Sequence, residues 1–145
     1  MTTTLVLDIL IVDDNDICAD ILARKFKLKN ILKIANYTIT IINSPEKALK
    51  NLETNSYDVI FTDIEMPGMT GDVMVQIIRY DLTCKIHGKN RSIPIVAITS
   101  KYDRESLLRY RDVGITKSLE KPANTQSIRD IVSEICRQHK RWKKN

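Results

Sequence analysis

Five short apolar runs alternate along the chain with segments whose apolar residues recur at helical spacing. The runs are rich in aliphatic and β-branched side chains, as in strands buried on both faces of a parallel sheet. They predict strands at residues 5–12, 37–42, 57–62, 93–99 and 115–120, and helices at 16–28, from 45, and at 72–79, 103–113 and 125–139. This alternation predicts an α/β fold with a doubly wound, five-stranded parallel sheet and helices on both faces.

Local signals support several of these boundaries. Ser44 and Pro45 are residue types typical of the N-cap and the first position of a helix. Gly114 follows the fourth predicted helix, and glycine commonly ends helices. The segment 81–92 is polar, so we expect a long connection between the third helix and the fourth strand.

The composition fits a soluble protein of one domain. The chain has 145 residues, of which 43% are hydrophobic and 28% charged. We expect a domain core over about residues 5–139 and a basic C-terminal tail at 140–145. The first apolar run is interrupted by Asp8 and is too short to span a membrane, and the N-terminus lacks the basic region of a signal peptide. We therefore expect a cytoplasmic protein, with the nucleus as a second location, and no membrane partner.

The net charge of +5 comes largely from basic residues gathered at 24–29, 85–91 and 137–144. A basic balance is typical of proteins that bind nucleic acid or an acidic partner. The chain has no recognition-helix signature, no zinc-ligand spacing and no interleaving of aromatic and basic residues. Solvated helix faces and a basic tail are therefore the better explanation of the charge, and we do not expect a nucleic-acid partner.

Cysteine and histidine residues suggest no separate site. Cys18, Cys84 and Cys136 form no C-x-x-C pair, and their odd number indicates reduced thiols. Cys136 falls on the apolar stripe of the last helix, so we expect it in the core. His87 and His139 are far apart in sequence and have no ligand-like residues nearby, so neither is assigned a role.

Polar residues with chemical potential follow four of the predicted strands. Asp13 and Asp14 come after the first strand, Asp63 after the third, Thr99 closes the fourth, and Lys121 follows the fifth. Each residue alone has an ordinary explanation, such as a loop cap or a structural ion pair. Because parallel strands end at one edge of the sheet, three carboxylates, a hydroxyl and an ammonium are expected to converge there.

This combination suits phosphoryl transfer to an aspartate. Three clustered carboxylates repel one another unless a cation joins them, and Mg²⁺ accepts carboxylate and phosphate oxygens as ligands. A carboxylate can attack phosphorus directly and form an aspartyl phosphate. A lysine ammonium and a hydroxyl are suitable donors to the oxygens of the transferred group.

The chain resembles receiver domains of the two-component response-regulator family from about residue 5 to residue 139. The resemblance is carried by Asp13-Asp14, by the run DIEMPGMTG at 63–71, by Ile98-Thr99-Ser100 and by Lys121-Pro122. It implies a flavodoxin-like (βα)5 fold with strand order 2-1-3-4-5. It also implies the roles of the residues, with Asp63 as phosphoacceptor, a Mg²⁺ ion held by Asp13, Asp14, Asp63 and the backbone carbonyl of Glu65, Thr99 as switch hydroxyl and Lys121 as phosphate contact.

The same resemblance implies a signalling domain rather than an enzyme. A chain of this kind takes its phosphoryl group from a histidine phosphotransfer protein or a histidine kinase and acts on a downstream effector protein. The long connection between the third helix and the fourth strand is similar to that of receivers of eukaryotic type, including those of fungal stress regulators. A stress-response role is therefore expected.

One position departs from the family pattern. Receivers usually carry an aromatic residue three positions before the lysine, and here that position is Ser118. Without that ring we expect the response to travel mainly through the loop after Thr99 and the start of the fourth helix. Tyr102 is close to Thr99 in sequence and is a candidate for the substitute ring.

Three other classes of protein compete with this interpretation. A Mg²⁺-dependent phosphatase of the haloacid-dehalogenase type also uses an aspartate nucleophile, but it carries a second aspartate two positions later, where this chain has Glu65. An interaction module with the fold and no phosphorylation would not require the acidic residues that this chain has. Nucleic-acid binding by the basic tail is the third.

Overall fold

The structure is a computed structural model and describes residues 5–27 and 35–143. Its strands are β1 (Leu5–Val12), β2 (Ala35–Ile42), β3 (Val59–Thr62), β4 (Ile95–Thr99) and β5 (Lys117–Glu120). Its helices are α1 (Asp16–Lys27), α2 (Pro45–Asn51), α3 (Gly71–Tyr80), α4 (Arg104–Asp112) and α5 (Thr125–Lys143), with a short 3-10 helix at Gly88–Arg91. These elements confirm the predicted alternation of strands and helices.

All five strands lie in one parallel sheet with the order β2-β1-β3-β4-β5, as predicted. The central strands β1, β3 and β4 carry nearly continuous apolar side chains because both of their faces are covered. One core cluster lies between the sheet and helices α1 and α5. The other lies between the sheet and helices α2, α3 and α4. The sheet is therefore doubly wound, and its carboxyl edge is free to carry polar residues.

Strands β3, β4 and β5 each begin two residues later than predicted, and β2 begins two residues earlier. At β3 and β5, polar side chains take up the preceding backbone groups. Asp58 accepts the backbone N–H of Asp8 at 2.8 Å, and the N–H of Tyr57 donates to Asn90 at 3.1 Å, so β3 begins at Val59. The hydroxyl of Thr116 accepts the N–H of Ile95 at 3.0 Å, and β5 begins one residue later. Side-chain competition of this kind cannot be read from hydrophobic periodicity.

The helix ends are close to the predictions. Ser44 caps α2 by accepting the N–H of Lys47, with Pro45 at the first position, as predicted. Gly114 follows α4 at a φ of 103°, a conformation that favours glycine. Helix α5 continues to Lys143, beyond the predicted end at 139 and into the predicted tail. The predicted end of the first helix at residue 28 and the last two residues of the tail lie outside the described residues.

The polar connection at 81–92 is anchored by a side chain that the sequence did not single out. Asn90 is fully buried, and its amide donates to the carbonyls of Leu52 at 3.0 Å and Asn55 at 2.7 Å. The oxygen of the same amide accepts the N–H of Tyr57, so both polar atoms of the buried Asn90 side chain are hydrogen-bonded. Asn90 therefore fixes the connection against the end of α2. Cys136 is buried as expected, and no disulfide joins the described cysteines. None of the described helices is long and apolar enough to cross a bilayer.

Candidate functional site

An acidic cluster lies at the carboxyl edge of the sheet. Val12 and Thr62 are partners in the β1–β3 ladder, so the residues that follow them, Asp13 and Asp63, emerge side by side. The N–H of Asp63 extends the ladder by donating to the carbonyl of Val12 at 2.9 Å. Asp13 and Asp63 are buried, and Asp14 beside them is exposed. One carboxylate oxygen from each of the three lies within 4.8 Å of the others.

Lys121 brings the positive charge that the sequence predicted at this edge. Its ammonium lies 3.3 Å from Oδ1 of Asp63 and 3.6 Å from Oδ2 of Asp13. Its backbone N–H donates to the carbonyl of Thr99 at 2.9 Å, which continues the β4–β5 pairing past the end of β5. The strand pairing therefore positions the start of the side chain, and the two carboxylates orient its end.

Burial and charge act in opposite directions on the central carboxylate. Burial raises the pKa of Asp63, the positive charge of Lys121 lowers it, and the negative charge of Asp13 raises it again, with a net rise. Burial acts to lower the pKa of Lys121, but the two carboxylates outweigh burial and raise it. One ammonium is thus not enough to offset the burial of this acidic pair, and a second cation at the cluster would lower the pKa of Asp63.

The loop after β3 holds the acidic cluster tightly against α3. The N–H of Ile64 donates to Oδ1 of Asp63 at 2.8 Å, and the N–H of Gly71 donates to the carbonyl of Ile64 at 2.8 Å. A Cβ at position 71 would lie 2.0 Å from the carbonyl oxygen of Asp63. Only glycine allows this approach. The side chain of Glu65 is exposed in the same loop, and the part of its carbonyl in metal binding stays a prediction.

Thr99 lies at the end of β4 and is fully buried. Its hydroxyl oxygen accepts the backbone N–H of Lys101 at 3.0 Å. Ser118 pairs with Ala97 on the neighbouring strand, so no aromatic ring of β5 lies beside β4 at this point. The hydroxyl of Tyr102 donates to the carbonyl of Ser118 at 3.2 Å, and the ring predicted as a substitute therefore reaches β5 at the position where the family pattern is broken.

The structure also places a second ion pair next to the cluster, which the sequence analysis missed. Asp72, in the first turn of α3, is buried and accepts a hydrogen bond from Nε of Arg109 on α4 at 2.6 Å. Burial raises the pKa of Asp72, but hydrogen bonds from Thr70 and Arg109 outweigh it and lower the pKa. In the sequence, Asp72 is explained as an acidic residue at the start of a helix. Its position therefore did not indicate that it would link α3 to α4.

The acidic cluster opens into a cavity of about 360 Å³ beneath α1. The polar end of this cavity is formed by Asp13, Asp63 and Lys121, and its apolar walls include Leu22 and Phe61. The side chain of Cys18 also faces it. Asp13, Asp63 and Lys121 are therefore reachable from solvent, although the two carboxylates are largely buried.

Comparison with known proteins defines the class. The profile of the family described as the response regulator receiver domain matches residues 9–133. Because this match covers most of the chain, the chain belongs to the response regulator receiver domain family. Receiver domains are the phosphoryl-accepting modules of two-component phosphorelays, and they generally hold Mg²⁺ at an acidic site. The family match gives no support to the haloacid-dehalogenase alternative.

Individual relatives agree with this class. Stress response regulator protein 1 of Scheffersomyces stipitis is 34% identical over 131 residues, which are 88% of this chain and 42% of that protein. A two-component response regulator from Clostridium difficile has a similar structure, with a TM-score of 0.75, 24% identity, and coverage of 92% of this chain and 98% of that one. The chain thus spans less than half the length of the relative from S. stipitis.

A further solved structure bears on the metal. The receiver domain of a sensor histidine kinase from Pseudomonas aeruginosa has a TM-score of 0.72 and 21% identity, with coverage of 88% of this chain and 95% of that one. That domain was crystallised with a magnesium ion coordinated in its active-site cleft. At this level of identity the likeness concerns the fold. The fit of Mg²⁺ to this chain must be judged from its own carboxylates.

Proposed function

We propose that this chain accepts a phosphoryl group on Asp63 from the phosphohistidine of a phosphotransfer protein or histidine kinase, and that the modified form changes its contacts with a downstream effector. The observation that carries the proposal is the single ammonium of Lys121 between the carboxylates of Asp63 and Asp13, at 3.3 and 3.6 Å. An ion pair in which one positive charge cancels one negative charge would be explained as a purely structural contact. This cluster has an excess of buried negative charge and opens to a cavity.

The contacts of Asp63 indicate which oxygen reacts. Lys121 and the N–H of Ile64 both bind Oδ1, which fixes the carboxylate and leaves Oδ2 as the attacking atom. A bond forms from Oδ2 to phosphorus, the phosphorus–nitrogen bond breaks, and the imidazole nitrogen of the donor keeps the electron pair. The ammonium of Lys121 and the hydroxyl of Thr99 are the donors that this chain offers to the phosphoryl oxygens.

The acidic cluster fits Mg²⁺ by its donor set. Oxygen atoms of Asp13, Asp14 and Asp63 lie within 4.8 Å of one another, and hard oxygen ligands are those that Mg²⁺ prefers. We assign these three carboxylates and the backbone carbonyl of Glu65 to the ion. When bound, Mg²⁺ offsets the negative charge of the carboxylates and of the incoming phosphoryl group. The chain itself orients Asp63 and supplies Lys121.

The relatives support a stress-response role, and the expected donor supports an intracellular location. Proteins named stress response regulator protein 1 match most of this chain. A phosphohistidine donor is an intracellular protein, so we place this chain in the cytoplasm, with the nucleus as a second location. Its effect is passed on by contact with an effector protein, and its only chemical activities are self-phosphorylation from donors and loss of its own phosphoryl group.

Phosphotransfer from a histidine donor tests this function directly. The chain is mixed with a phosphorylated histidine phosphotransfer protein and Mg²⁺, and both partners are followed by intact mass. We expect the donor to lose one phosphoryl group for each one that the chain gains. A parallel incubation with a small phosphate ester tests the phosphatase alternative. A receiver accepts at most one phosphoryl group per chain, whereas a phosphatase turns over repeatedly. Catalytic release of phosphate from the ester, without a labelled chain, would contradict the proposal.

A further inference from the structure

The cavity beneath α1 is enclosed by elements that are fixed to one another. Its floor is formed by buried residues of the central strands, among them Ile11, Phe61 and Ile98. On one side, the ammonium of Lys25 donates to the carbonyl of Ala123 and so joins α1 to the segment after β5. The volume of about 360 Å³ lies within the range of small-molecule sites. The fold therefore keeps open a space large enough for a small ligand.

Apolar surface leads from the outside of α1 into this cavity. Leu22 lies on the cavity wall, and Ile21 beside it is 51% exposed. Ile21 also lines a shallow groove on the outer face of the helix, together with Ile17 and Ile41. Because the two spaces share Ile21, the apolar lining is continuous from the exposed groove to the cavity. The cavity therefore suits a ligand with an apolar body.

The polar end of the cavity carries more negative than positive charge. Asp13 and Asp63 are both buried, and Lys121 is the ammonium that faces them. Oδ1 of Asp63 accepts the N–H of Ile64 at 2.8 Å and lies 3.3 Å from the ammonium of Lys121. No hydrogen bond from the described residues reaches Oδ2 of Asp63, and this side chain is only 9% exposed. A donor that carries positive charge therefore complements this end of the cavity.

We propose that this cavity binds an organic cation with an apolar body. Its ammonium or amidinium group lies beside Asp13 and Asp63 and donates to Oδ2 of Asp63. Its body lies against Leu22 and Phe61, where burial of apolar surface stabilises the complex. A neutral ligand leaves the excess negative charge uncompensated, and a small inorganic cation leaves the apolar walls uncovered. The cavity therefore selects for both features in one molecule.

The site itself does not depend on the proposed function of Asp63, but its consequence for signalling rests on that function. Oδ2 is the atom that we propose attacks phosphorus, and a ligand that donates to Oδ2 withdraws this atom from attack. The same ligand fills the space beside the acidic cluster. An organic cation bound here would therefore hold the chain in its unphosphorylated form, and its concentration would control phosphoryl acceptance.

The charge and the apolar body are tested separately with three probes. 2-Phenylethylammonium carries both features, 2-phenylethanol has the same body without the charge, and methylammonium has the charge without the body. Each probe is titrated into the full chain without Mg²⁺ and followed by the amide NMR spectrum. We expect 2-phenylethylammonium to bind at least about tenfold more tightly than either of the others. Its shift changes should centre on residues 11–13, 18–25 and 61–63, the segments around the cavity.

Two substitutions on α1 give a matched pair of variants. Cys18→Phe adds a ring to a side chain that faces the cavity, so 2-phenylethylammonium should bind about tenfold more weakly. Ile17→Phe changes the neighbouring residue, which is 72% exposed and lies in the outer groove, and should bind like the wild type. Asp63→Asn removes charge from the polar end and should weaken binding by about tenfold.

Folding of each variant is checked by amide spectra and thermal unfolding without a probe. Cys18→Met fills less of the cavity and provides the same test if the ring of Cys18→Phe prevents folding.

Labelling by acetyl phosphate with Mg²⁺, followed by intact mass, measures the consequence for signalling. Saturating 2-phenylethylammonium should slow the labelling of the wild type about tenfold. The same concentration should leave Cys18→Phe at its own rate without the probe, because the probe no longer binds. An unchanged labelling rate of the wild type with the probe bound would contradict the placement of the cation at Oδ2 of Asp63.

Other outcomes would overturn the inference directly. Equal affinity for 2-phenylethanol would show that the charge is not recognised, and equal affinity for methylammonium would show that the apolar walls are not used. Wild-type affinity in Cys18→Phe, or equal weakening in Ile17→Phe, would place the probe outside the cavity. A chain that is labelled on Asp63 but binds no probe would contradict this inference and leave the proposed function intact. The opposite result would contradict the proposed function and leave the cavity site intact.

Discussion

The acidic edge of the sheet and the face formed by α4 and β5 follow the family pattern to different degrees. At the acidic edge, the residue types expected from the resemblance to receiver domains are present, and the carboxylates of Asp13 and Asp63 each lie within 4 Å of the ammonium of Lys121. At the other face the pattern is broken at Ser118, and the buried Tyr110 of α4 donates its hydroxyl to the carbonyl of Lys101, two residues after Thr99. Both regions belong to the same sheet and are linked through Thr99.

The difference shows which functions need fixed residues. Phosphoryl transfer needs a nucleophile, a cation site and a donor at defined distances, so a change of any one of these residues slows or removes the chemistry. Signal coupling needs only an element with two arrangements that the phosphoryl group biases differently. Different side chains can supply that element. The acidic edge is therefore predictable from residue identity, and the coupling route has to be read from contacts.

The largest effect is expected from a substitution that displaces the backbone beside the acidic cluster. Gly71→Ala places a Cβ 2.0 Å from the carbonyl oxygen of Asp63. The backbone of α3 or of the loop must move, so we expect a loss of about 3 kcal/mol in the free energy of unfolding and loss of phosphoryl acceptance. Chemical denaturation measures the first effect. Gly88→Ala is the matched control, since an added Cβ there has no heavy atom within 4 Å, and it should unfold like the wild type.

The metal site gives the next largest effect. Asp14→Ala removes an exposed carboxylate of the cluster without disturbing the core, so we expect about 10- to 100-fold weaker Mg²⁺ binding in a fully folded chain. Calorimetric titration with Mg²⁺ measures the dissociation constant. Asp16→Ala, two residues further on and also exposed, is the control for net charge. Equal affinities of the wild type and Asp14→Ala would exclude Asp14 as a ligand.

Removal of the lysine sharpens the comparison between chemistry and coupling. Lys121→Ala should slow labelling by acetyl phosphate about tenfold or more, because a charge-assisted contact to the phosphoryl group is lost. In Mg²⁺ buffer the fold should persist, since the side chain lies at a strand end and is 23% exposed. Circular dichroism and labelling rates test the two statements, with Lys117→Ala on the same strand as control. Global unfolding of Lys121→Ala would indicate a structural ion pair instead.

The smallest expected effect is a pH dependence of stability. Burial raises the pKa of Asp63 in the folded chain, so its ionised form disfavours folding at neutral pH. This cost disappears as the pH falls and the carboxyl is protonated in both states. Without Mg²⁺, Asp63→Asn should therefore be more stable than the wild type at pH 7, and the difference should close in acid. Thermal unfolding across pH measures it, and a less stable variant at pH 7 would contradict the sign.

The strand pattern was sufficient to predict a parallel sheet and the common edge at which Asp13, Asp63 and Lys121 lie, because buried parallel strands are nearly continuous apolar runs and all end at one edge. The order of the strands came from the resemblance to receiver domains. The starts of β3 and β5 were not predictable in this way. They depend on side chains such as Asp58 and Thr116 that bond to backbone groups distant in sequence.

The contacts of α4 and of the loop before it were not predictable from the sequence for a related reason. Tyr110 falls on a helical stripe where an aromatic residue is ordinary core, and nothing in the spacing indicates that its hydroxyl bonds to Lys101. Tyr102 was noticed only because it is close to Thr99 in sequence. Arg109 was indistinguishable from the other basic residues of α4 until its contact with Asp72 was known. Such contacts depend on how two helices pack, which the periodicity of either helix does not determine.

The central claim is that Asp63 is the residue that receives the phosphoryl group, and intact mass after incubation with acetyl phosphate and Mg²⁺ tests it most directly. We predict that the wild type gains the mass of one phosphoryl group and that Asp63→Asn gains none. Glu65→Gln, which neutralises an exposed carboxylate in the same loop, should be labelled like the wild type. Equal labelling of Asp63→Asn and the wild type would contradict the account.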